Sequence, residues 1–125
     1  MTVRVVLADD HPMYRYGLTA VLGQAETIDV VAEVGSGPEL LAVVAELAPD
    51  VVVTDLGLPD GSGIEIGRAL GRRLPVIALS GYGSPQDIQR STAAGFAGHI
   101  VKPAGFSTVH AVVQKALAAS AESGR

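Results

Sequence analysis

The sequence predicts an α/β fold in which a parallel β-sheet carries helices on both of its faces. Short runs of β-branched residues alternate with longer amphipathic or alanine-rich stretches, and this alternation occurs five times, as expected for successive βα units. Hydrophobic residues make up 48% of the 125 residues but aromatic residues only 4%, so the core must be built from aliphatic side chains. The length corresponds to a single domain spanning residues 1–125.

Short segments rich in β-branched and other apolar residues are predicted to form the strands. In chain order they are Val3–Ala8, Ile28–Val34, Val51–Thr54, Pro75–Leu79 and Gly98–Val101. The third segment consists of three valines and a threonine. This composition is typical of a strand that is buried on both faces at the centre of a parallel sheet.

Each predicted strand is followed by a predicted helix. In chain order the helices cover Pro12–Leu22, Pro38–Leu47, a stretch that follows Gly63 to about Arg73, a stretch from Pro85 to about Gly95, and Phe106–Ala119. Three of them begin at a proline, whose fixed φ suits the first helical turn. The segment Leu56–Gly63 contains three glycines and one proline, which predicts a long loop and favours a functional role for it.

The composition excludes several classes of function. The chain has no cysteine, which rules out disulfides, thiolate metal sites and thiol nucleophiles. With 13 acidic and 9 basic side chains, we expect no direct binding of nucleic acid or of an anionic membrane. No apolar run approaches the roughly 18 residues that span a bilayer, and acidic residues appear too early for a signal peptide. These observations predict a soluble, cytoplasmic domain.

Polar side chains stand at the carboxyl ends of four predicted strands, which meet at one edge of a parallel sheet. They are Asp9 and Asp10 after the first strand, Asp55 after the third, Ser80 after the fourth and Lys102 after the fifth. Considered one at a time, each of these residues has a purely structural explanation. Asp10 could cap a helix, Asp55 and Ser80 could stabilise turns, and Lys102 could be a solvated surface lysine. Capping does not explain why three acids should gather around one lysine.

The charges of this predicted cluster indicate a metal site. Three carboxylates and one ammonium group leave about two uncompensated negative charges, which a divalent cation would offset. Because we expect oxygen ligands and no histidine or cysteine at this edge, Mg²⁺ is the predicted ion, with Mn²⁺ as the alternative. Metal, Lys102 and Ser80 would surround a phosphoryl group with positive charge and hydrogen-bond donors. Asp55, beside the glycine-rich loop, is the candidate nucleophile.

Four motifs in this sequence resemble the receiver domain of two-component response regulators. They are VVLADDHP (Val5–Pro12), VVVTDLGLPDGSG (Val51–Gly63), VIALSG (Val76–Gly81) and HIVKP (His99–Pro103), in the order and spacing of that family. The resemblance implies a flavodoxin-like, CheY-like (βα)5 fold with a doubly wound five-stranded sheet of order 2-1-3-4-5. The segment Val5–Gly63 resembles receivers of the NarL/FixJ class, which usually precede a DNA-binding domain. The later part is similar to receivers of hybrid sensor kinases.

The resemblance also implies a role for each residue of the predicted metal site. Asp55 would accept a phosphoryl group from a sensor histidine kinase. Asp10 would bind Mg²⁺ directly, Asp9 would act through a metal-bound water, and the backbone carbonyl of Gly57 would be a further ligand. Lys102 would pair with the phosphoryl oxygens. The only reactions implied are phosphorylation and dephosphorylation of the protein's own aspartate.

A switch is implied by the same resemblance. Ser80 would bond the phosphoryl group, and His99 stands where receivers usually carry a tyrosine or phenylalanine that turns inward. The surface formed by helix four, strand five and helix five would then change, and a partner or a second copy of the chain would bind it. The regulatory part of a LuxR/NarL-type transcription regulator fits this description.

Three other functions are compatible with part of the pattern. A degenerate receiver could serve as a constitutive interaction module, although all the site side chains are present. A phosphatase or dehalogenase with an aspartate nucleophile would need a cap region or more substrate-binding surface than this chain can hold. A flavin carrier would need a phosphate-binding loop where Asp9 and Asp10 stand, and these acids would repel a phosphate.

Overall fold

A computed structural model describes residues 2–58, 63–81, 85–102 and 105–122. Strands and helices alternate along it as β1 (Val3–Ala8), α1 (Pro12–Leu22), β2 (Ile28–Val34), α2 (Gly37–Leu47), β3 (Val51–Asp55), α3 (Gly63–Leu70), β4 (Val76–Ser80), α4 (Pro85–Ala93), β5 (Gly98–Val101) and α5 (Phe106–Glu122). All neighbouring strands pair in parallel, in the order β2-β1-β3-β4-β5. The predicted doubly wound sheet of order 2-1-3-4-5 is confirmed.

Two helices end at positions that differ from the prediction by three residues. α3 ends at Leu70 rather than near Arg73, because Gly71 follows it and the chain turns there before β4 begins. α5 continues to Glu122 rather than ending at Ala119, because alanine-rich sequence has a high helix propensity and nothing in it stops the helix. The other predicted boundaries that fall on described residues agree to within two residues.

The core lies on both faces of the sheet. β3 and β4 are buried along their whole length. Side chains alternate between the two faces of a strand, and β1 shows the result. Val5 and Leu7 pack with α1 and α5 in one cluster, whereas Val6 and Ala8 pack with α2 in another. A sheet covered in this way exposes functional side chains only at its ends.

The strand register brings the carboxyl ends of the sheet to one edge. Ala8 lies beside Thr54, so the residues that follow β1 stand next to Asp55 at the end of β3. Ser80 lies beside Val101, so Lys102 follows next to the end of β4. Residues 59–62 of the predicted loop lie outside the described part of the chain. Within that part, no helix is both long and apolar enough to cross a bilayer.

Candidate functional site

Lys102 forms the centre of the site. Its Nζ lies 2.7 Å from Asp9 Oδ2 and 3.0 Å from Asp55 Oδ2. It also lies 4.8 Å from the centroid of the Tyr14 ring. The side chain of Asp9 is fully buried and those of Asp55 and Lys102 are 8% and 15% exposed. Burial alone would lower the pKa of Lys102, but the two carboxylates outweigh it and the pKa is raised.

His11 also belongs to this site, and its presence corrects the expectation that no histidine lies at this edge. Its Nδ1 is 3.0 Å from Asp9 Oδ1, 3.2 Å from Asp10 Oδ1 and 3.8 Å from Asp55 Oδ2. His11 occupies the N-cap position of α1 without a capping hydrogen bond from its side chain, and its backbone N–H donates to Asp9 Oδ1 at 2.8 Å. This turn folds the ring back over the acids, and Asp10 is therefore not the cap residue of α1.

Asp55 is held in place by two donors on opposite sides of its carboxylate. The backbone N–H of Gly57 donates to Oδ1 at 3.0 Å, which is the turn bond that its structural explanation required. Lys102 donates to Oδ2 at 3.0 Å. Both contacts fix the rotation of the carboxylate at the end of the central strand. The Asp55 carboxylate is thus held in a defined orientation.

The acidic cluster fits a hard divalent cation. One ligand atom each from Asp9, Asp10, His11 and Asp55 can be chosen so that all lie within 4.8 Å of one another. The carboxylates supply the hard oxygen ligands that Mg²⁺ prefers, and Lys102 offsets only part of their charge. The carboxylates and their charge therefore fit a divalent cation, and its identity as Mg²⁺ stays a prediction, since the His11 nitrogen also stands at this edge. That Gly57 contributes its carbonyl oxygen stays a prediction.

Ser80 and His99 are in contact. Ser80 Oγ lies 2.9 Å from His99 Nε2, and His99 Nδ1 lies 2.9 Å from Ser91 Oγ. Ser80 and Ser91 are buried, and His99 is half-buried. Sequence reasoning missed Ser91, since a serine within a helix carries no signal that distinguishes it from helix filler.

A cleft of about 640 Å³ opens above these groups. Its lining combines the acceptor candidate with cations, a hydroxyl and apolar walls: His11, Tyr14, Asp55, Leu56, Gly57, Ile64, Ser80, Gly81, Arg90 and Lys102. Asp55 and Ser80 therefore face the same space. A phosphoryl group in the cleft would meet a carboxylate, an ammonium group and a hydroxyl from three different strand ends.

The chain thus combines a doubly wound parallel sheet with a charged cleft at the carboxyl edge of that sheet. The model of the response regulator receiver domain matches residues 5–114. The chain belongs to this family, whose members are phosphoacceptors in two-component signalling.

Characterised relatives agree with this assignment. The DNA-binding transcriptional activator DevR/DosR of Mycobacterium tuberculosis is 43% identical over 103 residues, which cover 80% of this chain and 48% of that protein. The response regulator protein VraR of Staphylococcus aureus is 32% identical over 118 residues, which cover 92% of this chain and 56% of that protein. The chain thus spans about half the length of the curated relatives it matches.

Solved structures show the same fold. The signal receiver domain of the response regulator NarL from Mycobacterium tuberculosis aligns with a TM-score of 0.84 and 28% identity, over 99% of this chain and 98% of that one. A LuxR-family response regulator from Aurantimonas sp. SI85-9A1 aligns with a TM-score of 0.88 and 27% identity, over 95% and 87% of the two chains. The chain is a receiver domain of the LuxR/NarL type.

Proposed function

We propose that Asp55 is the residue that accepts the phosphoryl group, and that the donor is the phosphohistidine of a sensor histidine kinase. The observation that carries this proposal is the placement of Asp55. Its carboxylate lies in the cleft, at the end of the central strand, and one of its oxygens is 3.0 Å from Lys102 Nζ. No other carboxylate lines this cleft among the described residues.

The transfer itself needs little more than orientation and charge. A carboxylate oxygen of Asp55 forms a bond to phosphorus while the P–N bond of the donor breaks, and the electron pair of that bond stays on the donor imidazole. The Gly57 N–H holds the other carboxylate oxygen in place. Lys102, released from part of its pairing with Asp55, pairs with a phosphoryl oxygen, and Ser80 donates its hydroxyl proton to another.

Asp9 and Asp10 hold the metal in this proposal. Asp10 would bind Mg²⁺ directly, Asp9 would act through a water, and Asp55 and the backbone carbonyl of Gly57 would be the other protein ligands. When bound, Mg²⁺ would neutralise negative charge on the acids and on the phosphoryl oxygens. The proposed reactions are confined to this aspartate, which gains a phosphoryl group and later loses it to water.

The output of the proposed switch is the surface of α4, β5 and α5. When Ser80 moves toward the phosphoryl group its contact with His99 is lost, and the ring can change position. Ile88 on α4 and Val101 on β5 are exposed apolar side chains on this surface, which suits a partner or a second copy of the chain. Because DevR/DosR is a DNA-binding activator about twice the matched length, we propose that this domain regulates a cytoplasmic transcription regulator.

The test is intact-mass measurement after incubation with phosphoramidate or acetyl phosphate, with and without Mg²⁺. We expect the wild type to gain one phosphoryl group only with Mg²⁺, and Asp55→Asn to gain none while keeping its circular dichroism spectrum. Beryllofluoride binding would separate rapid hydrolysis from true inactivity. Phosphorylation of Asp55→Asn, or a wild type that neither gains mass nor binds beryllofluoride, would contradict the proposal.

A further inference from the structure

Both ring nitrogens of His99 contact serine hydroxyls that are themselves buried. Nε2 lies 2.9 Å from Ser80 Oγ at the end of β4, and Nδ1 lies 2.9 Å from Ser91 Oγ in α4. Ser91 is only 1% exposed and Ser80 only 5%. The imidazole therefore bridges the cleft to the interior face of α4.

The direction of these hydrogen bonds follows from the single proton on each hydroxyl. Ser91 Oγ donates to the carbonyl oxygen of Ile88 at 3.0 Å, so it accepts a hydrogen bond from Nδ1–H of His99. In a neutral imidazole the other nitrogen is then an acceptor. In this tautomer Ser80 donates its proton to His99 Nε2.

This arrangement sets His99 in competition with a phosphoryl oxygen for the Ser80 proton. In the proposed function Ser80 donates to the phosphoryl group on Asp55, and it can do so only after it stops donating to Nε2. We infer that Ser91 is a positioning residue for this step. By fixing the tautomer and orientation of the His99 ring, it keeps the proton of the Ser80 hydroxyl directed at His99 Nε2 until a phosphoryl group arrives. The inference rests on the proposed function and adds Ser91 to it.

The chain offers a matched control in the neighbouring residue. Thr92 Oγ1 donates to the same Ile88 carbonyl at 2.8 Å, but its side chain is exposed. Ser91→Ala and Thr92→Ala each remove one hydroxyl from the same turn of α4. Only Ser91→Ala removes a partner of His99.

The experiment is a titration with beryllofluoride in saturating Mg²⁺, in which amide NMR spectra monitor binding. We expect Ser91→Ala to lower the half-saturating concentration about threefold to tenfold, the effect of weakening one buried hydrogen bond in the resting state. Ser91→Cys should lower it in the same direction, and Thr92→Ala should match the wild type. In a Ser80→Ala background the Ser91→Ala substitution should have no effect, because the hydroxyl that it positions is gone.

A second readout reports on the ring directly. Nitrogen-15 spectra of the histidine side chains should show His99 protonated at Nδ1 in the unliganded wild type and in Thr92→Ala, with a changed tautomer ratio in Ser91→Ala. Protonation at Nε2 in the neutral wild type would overturn the inference. So would equal beryllofluoride affinities of Ser91→Ala and the wild type, or an effect that persists without Ser80. A wild type that binds no beryllofluoride would overturn the proposed function and this inference together.

Discussion

Lys102 is one of two lysines in the chain, and two carboxylates share it. Asp9 Oδ2 and Asp55 Oδ2 both lie within 3.0 Å of its Nζ, at 2.7 Å and 3.0 Å. Asp9 has no access to solvent, and its two carboxylate oxygens are contacted by Lys102 Nζ and by the backbone N–H of His11. Removing one member of a buried ion pair costs more than the pair contributes, because the remaining charge is left without compensation.

We expect Lys102→Met to lower the free energy of unfolding by about 2–4 kcal/mol at neutral pH in the presence of EDTA. The reason is the loss of the counter-charge of Asp9 and Asp55. Urea denaturation measures the change, and adding Asp9→Asn to Lys102→Met should restore part of the loss. A Lys102→Met protein as stable as the wild type would show that the pair is compensated in another way.

The same lysine adds a pH dependence on the alkaline side. The folded-state pKa of Lys102 is raised above its ordinary value of 10.5. A group of this kind stabilises the fold fully below its unfolded-state pKa, and the contribution is lost as pH rises through the folded-state pKa. Urea denaturation from pH 9 upward should therefore show a loss of stability above about pH 10.5 that Lys102→Met lacks.

The sequence predicted the site residues that stand directly at strand ends. Asp9, Asp55 and Lys102 could be placed together because their positions depend only on where β1, β3 and β5 end. His11 escaped prediction because its position depends on the turn that begins α1. Ser91 escaped it because only the packing of α4 against β5 brings its hydroxyl to His99. The position of a side chain that depends on a turn or on helix packing can be predicted only with tertiary information, which one sequence does not contain.

Among the helices, α3 depends on a glycine for its packing. A Cβ on Gly67 would overlap the ring of Phe96, which stands in the loop between α4 and β5. Gly17 in α1 is different, because a Cβ there would meet no atom within 4 Å. Alanine substitutions at these two helical glycines would therefore distinguish the effect of helix propensity on stability from the effect of packing.

We expect Gly67→Ala to lower the free energy of unfolding by about 1–3 kcal/mol, since the overlap with Phe96 outweighs the better helix propensity of alanine. Gly17→Ala should raise it by about 0.5–1 kcal/mol through propensity alone. Thermal and urea denaturation of both variants measure the difference. A stabilised Gly67→Ala would mean that the Phe96 ring can move aside at no cost.

Element boundaries were predictable where local chemistry sets them. Val3–Ala8 and Pro12–Leu22 match the prediction at both ends, because a buried apolar run and a proline at the first helical turn are local signals. The end of α3 was not, because Arg72 and Arg73 could continue a helix beyond Gly71, and only the start of β4 requires the chain to turn there. The order of the strands lies beyond periodicity altogether, and it came from the resemblance to a known family.

For the molecule as a whole, metal binding at the acidic cluster would be coupled to folding. An ion that binds the native cluster and not the unfolded chain stabilises the fold by mass action. At ten times its dissociation constant this amounts to about 1.4 kcal/mol, or roughly 3–6 °C in melting temperature for a domain of this size.

We therefore expect MgCl₂ at saturating concentration to raise the melting temperature of the wild type by roughly 3–6 °C relative to EDTA. Asp10→Asn should reduce this increase in melting temperature, because the substitution removes a proposed direct ligand. Glu46→Gln, on the exposed face of α2, should leave the increase unchanged. Differential scanning calorimetry at constant ionic strength distinguishes specific Mg²⁺ binding from the general screening of charges by salt. Equal shifts in Asp10→Asn and the wild type would place the ion elsewhere.

The sheet order has a further consequence for how the site is lost. β5 contains four residues and, within the described part of the chain, pairs with β4 alone, yet it is the strand that carries Lys102 to Asp9 and Asp55. Opening of this short edge would withdraw the lysine while the pairing of β1, β2, β3 and β4 remained intact. We therefore expect the site to be lost through local unfolding before the core melts, and protection of the β5 amides from hydrogen exchange would report on the lifetime of the assembled site.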